Sequence, residues 1–165
     1  MDSFIRAGIL TISDKGARGL RVDESGEVVQ RLLEAHGYDV VRLEIVRDDR
    51  YQIADTLVTW VDKERIPLIV TSGGTGLSPT DVTPQAMDQV IDYPVPGMAE
   101  AMRAESLKKT PHAMISRAMV GVRKASLIIN LPGSPRGAEE NLSVVLPALR
   151  HALSKLAGDT TDCAV

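Results

Sequence analysis

Short apolar runs and amphipathic segments alternate along the first half of the chain. Residues 6–12 and 67–71 are rich in apolar and β-branched side chains, which is typical of strands buried on both faces of a sheet. Residues 23–36 and 51–64 repeat apolar side chains at helical spacing, and residues 39–46 form a further predicted strand. Because strands and helices alternate, we predict an α/β fold with a parallel sheet and helices on both faces.

The second half of the chain continues the pattern, and two of its helices begin near a proline. Thr83 followed by Pro84 predicts an N-cap and a first helical residue, with the helix ending at Val90. Three more elements are predicted: a helix over residues 96–107, a last strand over 125–130 and a final helix over 138–156. No repeat or linker interrupts the series. We therefore expect a single domain, residues 1–165, with a core of about residues 5–157 and a tail of 158–165.

The composition mainly excludes classes of function. The 19 basic and 22 acidic residues form no long run of either sign, which argues against a nucleic-acid partner. One tryptophan, three tyrosines and one phenylalanine are too few for a base-stacking platform. No apolar run is long enough to span a bilayer, and no signal-peptide pattern opens the chain. We therefore expect a cytoplasmic protein with no membrane contact.

Three predicted strands end in polar or glycine-rich loops. These loops are Ser13-Asp14 after the first strand, SGGTG at 72–76 after the third, and LPGSPRG at 131–137 after the last. The carboxyl ends of parallel strands meet at one edge of the sheet, and ligands of such sheets bind at that edge. We therefore expect the three loops to share one pocket.

The SGGTG loop is the candidate anion site. Consecutive glycines permit positive φ and expose backbone N–H groups, so the loop can cradle a phosphate group. Neither a Walker A lysine nor the GxGxxG spacing accompanies it, and a plain tight turn is an equal alternative.

Two acidic positions lie near the predicted pocket. Asp81 either holds Mg²⁺ beside a phosphate or favours the positive end of the helix that follows it. Asp48 and Asp49, after the second strand, either supply a second carboxylate to the same metal ion or form a solvated turn. Both interpretations are open for each position.

Other reactive side chains give weaker signals. The three histidines have no metal-ligand spacing, and Cys163 is expected to be an ordinary thiol of the tail. Ser116 and Arg117 lie in a predicted loop before residue 120. Arg117 gains meaning only beside the phosphate site, where its guanidinium can contact an anion through two N–H groups.

Taken together, the motifs resemble a known family. In chain order they are Ile12-Ser13-Asp14, Asp48-Asp49, TSGGTG at 71–76, DVTP at 81–84, Pro96-Gly97 with Glu100 and Arg103, Ser116-Arg117, and NLPG at 130–133. Over nearly the whole chain, from residue 7 to 156, they resemble the MoaB/Mog family of molybdenum cofactor biosynthesis. Each motif is weak alone, whereas the joint pattern is specific.

The resemblance implies a three-layer α/β/α sandwich with a mostly parallel, Rossmann-like sheet, the molybdopterin-binding fold. It implies a molybdopterin adenylyltransferase, which transfers AMP from ATP to the terminal phosphate of molybdopterin with Mg²⁺ and releases pyrophosphate, and an assembly of three copies. By this comparison Asp48 and Asp81 are the catalytic and metal-binding residues. The substrate-binding positions are Ser13, Asp14, Ser72, Gly73, Gly74, Thr75, Gly76, Ser116, Arg117, Pro132, Gly133 and Ser134.

Two other functions remain open on the sequence. One is a molybdopterin-binding or carrier protein that catalyses nothing, against which the presence of both aspartates argues. The other is a nucleotide hydrolase, against which the lack of a second domain or an activated-water motif argues. A molybdate-insertion enzyme is a further expected partner.

Overall fold

The computed structural model describes residues 4–163, which contain six strands and six α-helices. The strands are β1 (Ile5–Ile12), β2 (Tyr38–Val46), β3 (Leu68–Ser72), β4 (Tyr93–Pro94), β5 (Val120–Arg123) and β6 (Ser126–Leu131). The helices are α1 (Asp14–Ala17), α2 (Glu24–Ala35), α3 (Arg50–Asp62), α4 (Thr83–Val90), α5 (Pro96–Leu107) and α6 (Pro135–Leu156), with a 3₁₀ helix at Pro111–Ile115. None of the helices in this part of the chain combines the length and the apolar character needed to cross a membrane.

The six strands form one sheet in the order β2-β1-β3-β6-β5-β4. Strands β2, β1, β3 and β6 are parallel, whereas β5 pairs antiparallel with both β6 and β4. The predicted, mostly parallel sheet is confirmed. Its antiparallel extension was not predicted, because β4 and β5 have two and four residues and are too short to show a periodic pattern.

Helices cover both faces of the sheet, because successive residues of each central strand point to opposite faces. Ile9 and Val70 pack into a core under α2, α5 and α6, whereas Leu10 and Ile69 pack into a second core under α3 and α4. All four side chains are fully buried, and burial of each contributes about 1.5–3 kcal/mol. The predicted three-layer architecture is therefore confirmed.

Two predictions about helix starts are wrong. Thr83 is not the N-cap of α4 but its first residue, because its hydroxyl donates to the carbonyl of Gly73 at 2.9 Å instead of capping the helix. Helix α6 begins at Pro135 and not at residue 138, because Ser134 caps it and accepts from the amide of Gly137 at 3.1 Å. The loop after β6 is correspondingly short.

The two edges of the sheet differ in their backbone geometry. Strand β2 forms one edge and contains a bulge, since Val41 is the extra residue where its pairing with β1 shifts between Ala7 and Gly8. Strand β4 forms the other edge and ends in Pro94, which has no backbone N–H.

Candidate functional site

The loops that follow β1, β2, β3 and β6 meet at the carboxyl edge of the sheet, as predicted. The amide of Ser13 donates to the carbonyl of Val46 at 2.9 Å, and the amide of Gly73 donates to the carbonyl of Leu131 at 3.1 Å. The backbones of Gly73 and Gly133 also approach each other closely, since a Cβ on Gly133 would lie 3.3 Å from the Gly73 Cα.

Only glycine fits at the first two positions of the GGTG turn. Gly73 and Gly74 have φ values of +103° and +68°. A Cβ on Gly73 would lie 2.3 Å from the Ile12 carbonyl oxygen, and one on Gly74 would lie 2.3 Å from the Thr83 hydroxyl oxygen. The turn therefore lies directly against β1 on one side and against the start of α4 on the other.

The carbonyl and amide groups of this turn are used differently. Thr83 holds the carbonyls, since its hydroxyl donates to Gly73 and its amide donates to the Gly74 oxygen at 3.1 Å. The amides of Gly74, Thr75 and Gly76 donate to no acceptor within residues 4–163. Three neighbouring free N–H groups are suited to an anion, which favours the phosphate interpretation over a plain turn.

Asp48 and its neighbour Asp49 have separate roles. Asp49 caps α3, since its carboxylate accepts from the amides of Tyr51 and Gln52, each at 2.9 Å. The carboxylate of Asp48 accepts from the amide of Asp14 at 3.0 Å, and a Cβ on Gly74 would lie 3.5 Å from its Oδ1. Asp48 is therefore directed at the glycine turn.

The surroundings of Asp48 raise the pKa of its carboxyl group. Burial is the largest cause, and the negative charges of Asp14 and Asp81 act in the same direction, whereas the hydrogen bond from the Asp14 amide opposes them. Asp48 and Asp81 line one cleft, in which their negative charges repel each other. A bound cation would relieve this repulsion.

Asp81 approaches the turn at Gly76. Its Oδ2 accepts from the Ser78 amide at 3.0 Å, and a Cβ on Gly76 would lie 2.8 Å from that same oxygen. Residues 4–163 contain no cluster of three or more metal-ligating side chains. A pair of carboxylates fits Mg²⁺, which proteins commonly bind through one or two carboxylates together with substrate phosphates.

A cleft of about 830 Å³ opens over these groups. It is lined by eight of the predicted site residues: Ser13, Asp48, Ser72, Gly73, Gly74, Asp81, Gly133 and Ser134. The carboxylates of Asp48 and Asp81 therefore face the same cleft as the glycine turn.

The start of α2 also lines this cleft, which the sequence did not predict. The Asp23 carboxylate accepts from the Thr11 hydroxyl at 2.8 Å and from the Ser25 hydroxyl at 3.3 Å, and the hydroxyls of Ser25 and Ser72 lie 3.2 Å apart. This network joins α2 to the ends of β1 and β3. In the sequence, an aspartate before a helix indicates an N-cap and nothing more.

A second cavity of about 320 Å³ lies on the other side of the GGTG turn. The predicted residues Thr75, Gly76, Ser116, Pro132 and Ser134 line it, together with the unpredicted Arg103, Ser106, Lys109, Thr110, His112 and Asn141. Ser134 borders both spaces. The site is thus two adjoining cavities separated by the turn.

Asp14 and Arg117 line neither cavity. Asp14 contacts Asp48, whereas the Arg117 guanidinium donates to the carbonyls of Gly76 at 2.9 Å and Asp81 at 2.8 Å. The predicted contact of these two residues with substrate stays a prediction. Their contacts in the structure are with the protein.

The sequence matches a family described as "Probable molybdopterin binding domain" over residues 8–151. It is 38% identical over 157 residues to the molybdopterin adenylyltransferase of Helicobacter pylori, covering 94% of this chain and 89% of that protein. It is 39% identical to Dictyostelium discoideum gephyrin, covering 88% of this chain but 22% of gephyrin.

Solved structures agree with these sequence matches. The crystal structure of the molybdopterin biosynthesis enzyme MoaB from Thermus thermophilus superposes with a TM-score of 0.89 at 48% identity. The superposition covers 94% of this chain and 98% of that chain. The resemblance predicted from the ordered motifs is confirmed: this protein belongs to the molybdopterin-binding family that includes the MoaB and Mog proteins.

Proposed function

We propose that this protein is a molybdopterin adenylyltransferase, which transfers AMP from ATP to the terminal phosphate of molybdopterin and releases pyrophosphate. One observation carries the proposal. The carboxylates of Asp48 and Asp81 lie against a turn with three free amides, in a chain similar over most of its length to an enzyme of that name.

The reaction joins two anionic groups and needs no strong base. A terminal phosphate oxygen of molybdopterin attacks the α-phosphorus of ATP, and the bond from that phosphorus to the bridging oxygen breaks, so pyrophosphate leaves with the electron pair. The attacking oxygen is already ionised at neutral pH. The protein therefore has to position the phosphates and offset their charge.

The residues of the turn supply hydrogen bonds to phosphate oxygens, and so do Ser13 and Ser134, the N-caps of α1 and α6. Gly74 lines the cleft, whereas Thr75 and Gly76 line the second cavity, so the free amides of the turn would hold phosphate oxygens on its two sides. Ser13 and Ser134 accept from backbone amides through their oxygens, and within residues 4–163 their O–H groups have no acceptor. Each hydroxyl can therefore donate to a phosphate oxygen in the cleft.

Asp48 and Asp81 would hold Mg²⁺, which supplies positive charge to the phosphate groups that approach each other. Their acceptor oxygens face the same cleft as the turn, and their mutual repulsion favours occupation by a divalent cation. The same two residues orient the phosphates relative to the free amides.

We further propose that the protein acts in the cytoplasm as a homotrimer and passes its product to a molybdate-insertion enzyme. These three points follow from the family and are independent of the chemistry above. Size-exclusion chromatography with light scattering tests the assembly, and a monomer at micromolar concentration would contradict the trimer.

The deciding experiment is adenylylation by the purified protein. With molybdopterin, ATP and Mg²⁺ we expect adenylated pterin and pyrophosphate in equal amounts, and loss of both when Mg²⁺ is omitted. Asp48→Asn and Asp81→Asn should abolish turnover and leave the circular dichroism spectrum unchanged. Asp88→Asn, an exposed carboxylate on α4, is the matched control.

Two outcomes would replace the proposal. Tight pterin binding without pyrophosphate release would identify a binding or carrier protein. Release of phosphate from nucleotides in the absence of pterin would identify a hydrolase.

A further inference from the structure

Arg117 hydrogen-bonds to the chain at both ends of the exposed segment 77–80, which precedes Asp81. Its Nε donates to the Gly76 carbonyl at 2.9 Å and its Nη2 donates to the Asp81 carbonyl at 2.8 Å. Its Nη1 donates to Oε1 of Gln85 on α4 at 3.3 Å, and its own amide donates to the Thr75 carbonyl at 2.8 Å. One residue thus contacts the chain on both sides of the segment 77–80.

The segment has few other restraints. Residues 77–80 are exposed, and their hydrogen bonds are local. The Asp81 amide donates to the Ser78 carbonyl, the Ser78 amide donates to the Asp81 carboxylate, and the Ser78 hydroxyl contacts the amide and the hydroxyl of Thr80. Within residues 4–163, no side chain other than that of Arg117 donates to the backbone of 76–81 from outside it. Thr83, two residues after Asp81, also donates to the carbonyls of Gly73 and Gly74. The position of Asp81 relative to the glycine turn therefore depends on these two bonds and on the Arg117 guanidinium.

We propose that Arg117 is a positioning residue for Asp81: it fixes the distance between the Asp81 carboxylate and the glycine turn without contacting substrate. A guanidinium is suited to this because its donors are planar and rigidly spaced, whereas a lysine ammonium is a flexible point charge that cannot reproduce the same set of contacts. The side chain lines neither cavity. This separates the inference from the expected contact between Arg117 and a phosphate.

The consequence for the site rests on the proposed function. If Asp81 shares a divalent cation with Asp48, loosening the segment weakens the cation site more than it weakens binding of the pterin. The Mg²⁺ concentration for half-maximal turnover should therefore rise, while the maximal rate at saturating Mg²⁺ changes less.

The test compares Arg117→Lys and Arg117→Met with Arg123→Lys. Arg123 is a matched control, because its guanidinium also bridges a carbonyl, that of Val90 at 2.9 Å, and a carboxylate, that of Asp62 at 2.7 Å. It is the last residue of β5 and pairs with Ser126, the first residue of β6. It therefore lies at the opposite end of the strands from the cleft. Its substitution should lower thermal stability without affecting the site.

The first readout is amide hydrogen exchange of the ligand-free protein. We expect exchange across residues 76–82 to be about tenfold faster in Arg117→Met, less accelerated in Arg117→Lys, and unchanged in Arg123→Lys. Equal exchange in all four proteins would overturn the proposal. Should the Met variant fail to fold, the Lys variant decides on the same criterion.

The second readout is the Mg²⁺ dependence of adenylylation. We expect the midpoint to rise about tenfold in Arg117→Lys at nearly constant maximal rate, with no change in Arg123→Lys. A raised KM for ATP or molybdopterin with an unchanged Mg²⁺ midpoint would instead show that Arg117 binds substrate and would overturn the proposal. If the wild type has no adenylylation activity, the proposed function fails, and the exchange result still decides the role of Arg117.

Discussion

Asp14 and Asp48 exchange hydrogen bonds: the amide of each donates to the carboxylate of the other, at 3.0 and 3.1 Å. The pair joins the start of α1 to the loop after β2, two segments that are distant in the chain. It occupies one oxygen of the Asp48 carboxylate and directs the other towards Gly74. The geometry of a proposed metal ligand thus depends on a neighbour outside both cavities.

Removing the Asp14 carboxylate should therefore reduce activity through the loss of its hydrogen bond with the Asp48 amide. We expect Asp14→Ala to lower kcat about tenfold, because the Asp48 amide loses its acceptor and the loop is less restrained. Asp14→Asn keeps an acceptor oxygen at the same place and should lose less. Steady-state kinetics at saturating Mg²⁺ checks the ranking, and an Ala variant as active as wild type would contradict it.

Asp48→Asn should stabilise the metal-free protein at pH 7 while it abolishes turnover. Because the pKa of Asp48 is raised in the folded state, the ionised carboxylate destabilises that state at neutral pH. The neutral side chain of asparagine lacks this effect. The difference in Tm between Asp48→Asn and the wild type should shrink as the pH falls from that raised pKa towards the ordinary value of 3.8. Below that pH it should vanish.

Thermal unfolding in EDTA from pH 3 to pH 8 measures this difference. Asp88→Asn, with its carboxylate in solvent, should show no such pH dependence. An Asp48→Asn variant that is less stable than wild type at pH 7 would show that the carboxylate is a net stabilising group.

Two glycine substitutions should differ sharply in stability. Gly73→Ala puts a Cβ 2.3 Å from the Ile12 carbonyl oxygen at a φ of +103°, so we expect a loss of about 2 kcal/mol or more and no activity. A Cβ on Gly97 has open space around it near the start of α5. Gly97→Ala should be neutral or stabilising by up to about 1 kcal/mol. Urea unfolding measures both.

Tyr38→Phe should stabilise the protein by about 1 kcal/mol. The Tyr38 hydroxyl is buried and has no hydrogen-bond partner within residues 4–163, and burial raises the pKa of this phenol. Phenylalanine removes the unpaired group and keeps the ring, which lies 5.7 Å from the Arg150 guanidinium. The exposed Tyr93 gives the control Tyr93→Phe, which should leave the urea midpoint unchanged. A destabilised Tyr38→Phe would indicate a partner for this hydroxyl.

The sequence was informative where a residue type has one dominant structural use. Buried parallel strands show as apolar runs, so the layers and the shared edge of Ser13, Gly73 and Gly133 could be predicted. The consecutive glycines likewise predicted backbone with positive φ, although the sequence left a phosphate cradle and a plain tight turn equally open. The binding of a metal ion by Asp48 and Asp81 is still a prediction.

The sequence failed where the role of a side chain depends on a distant partner. Thr83 has the sequence features of an N-cap, and its bond to Gly73 depends on how β3 and α4 meet. Arg117 has the features of an anion ligand, and its contact with substrate stays a prediction, but its bonds to the carbonyls of Gly76 and Asp81 and to Oε1 of Gln85 could not be foreseen. Asp23 gave only the signal of a helix start. Such contacts become visible when the loops are placed in three dimensions.

The ends of the sheet affect how copies of this protein can associate. With a proline closing the two-residue strand β4 and a bulge interrupting β2, neither border presents a regular row of backbone groups to a strand of another molecule. Growth of the sheet into fibres or amorphous aggregates is disfavoured during synthesis and storage. An ordered oligomer is then favoured to form through helix faces and loops, whose side chains can recognise a specific partner.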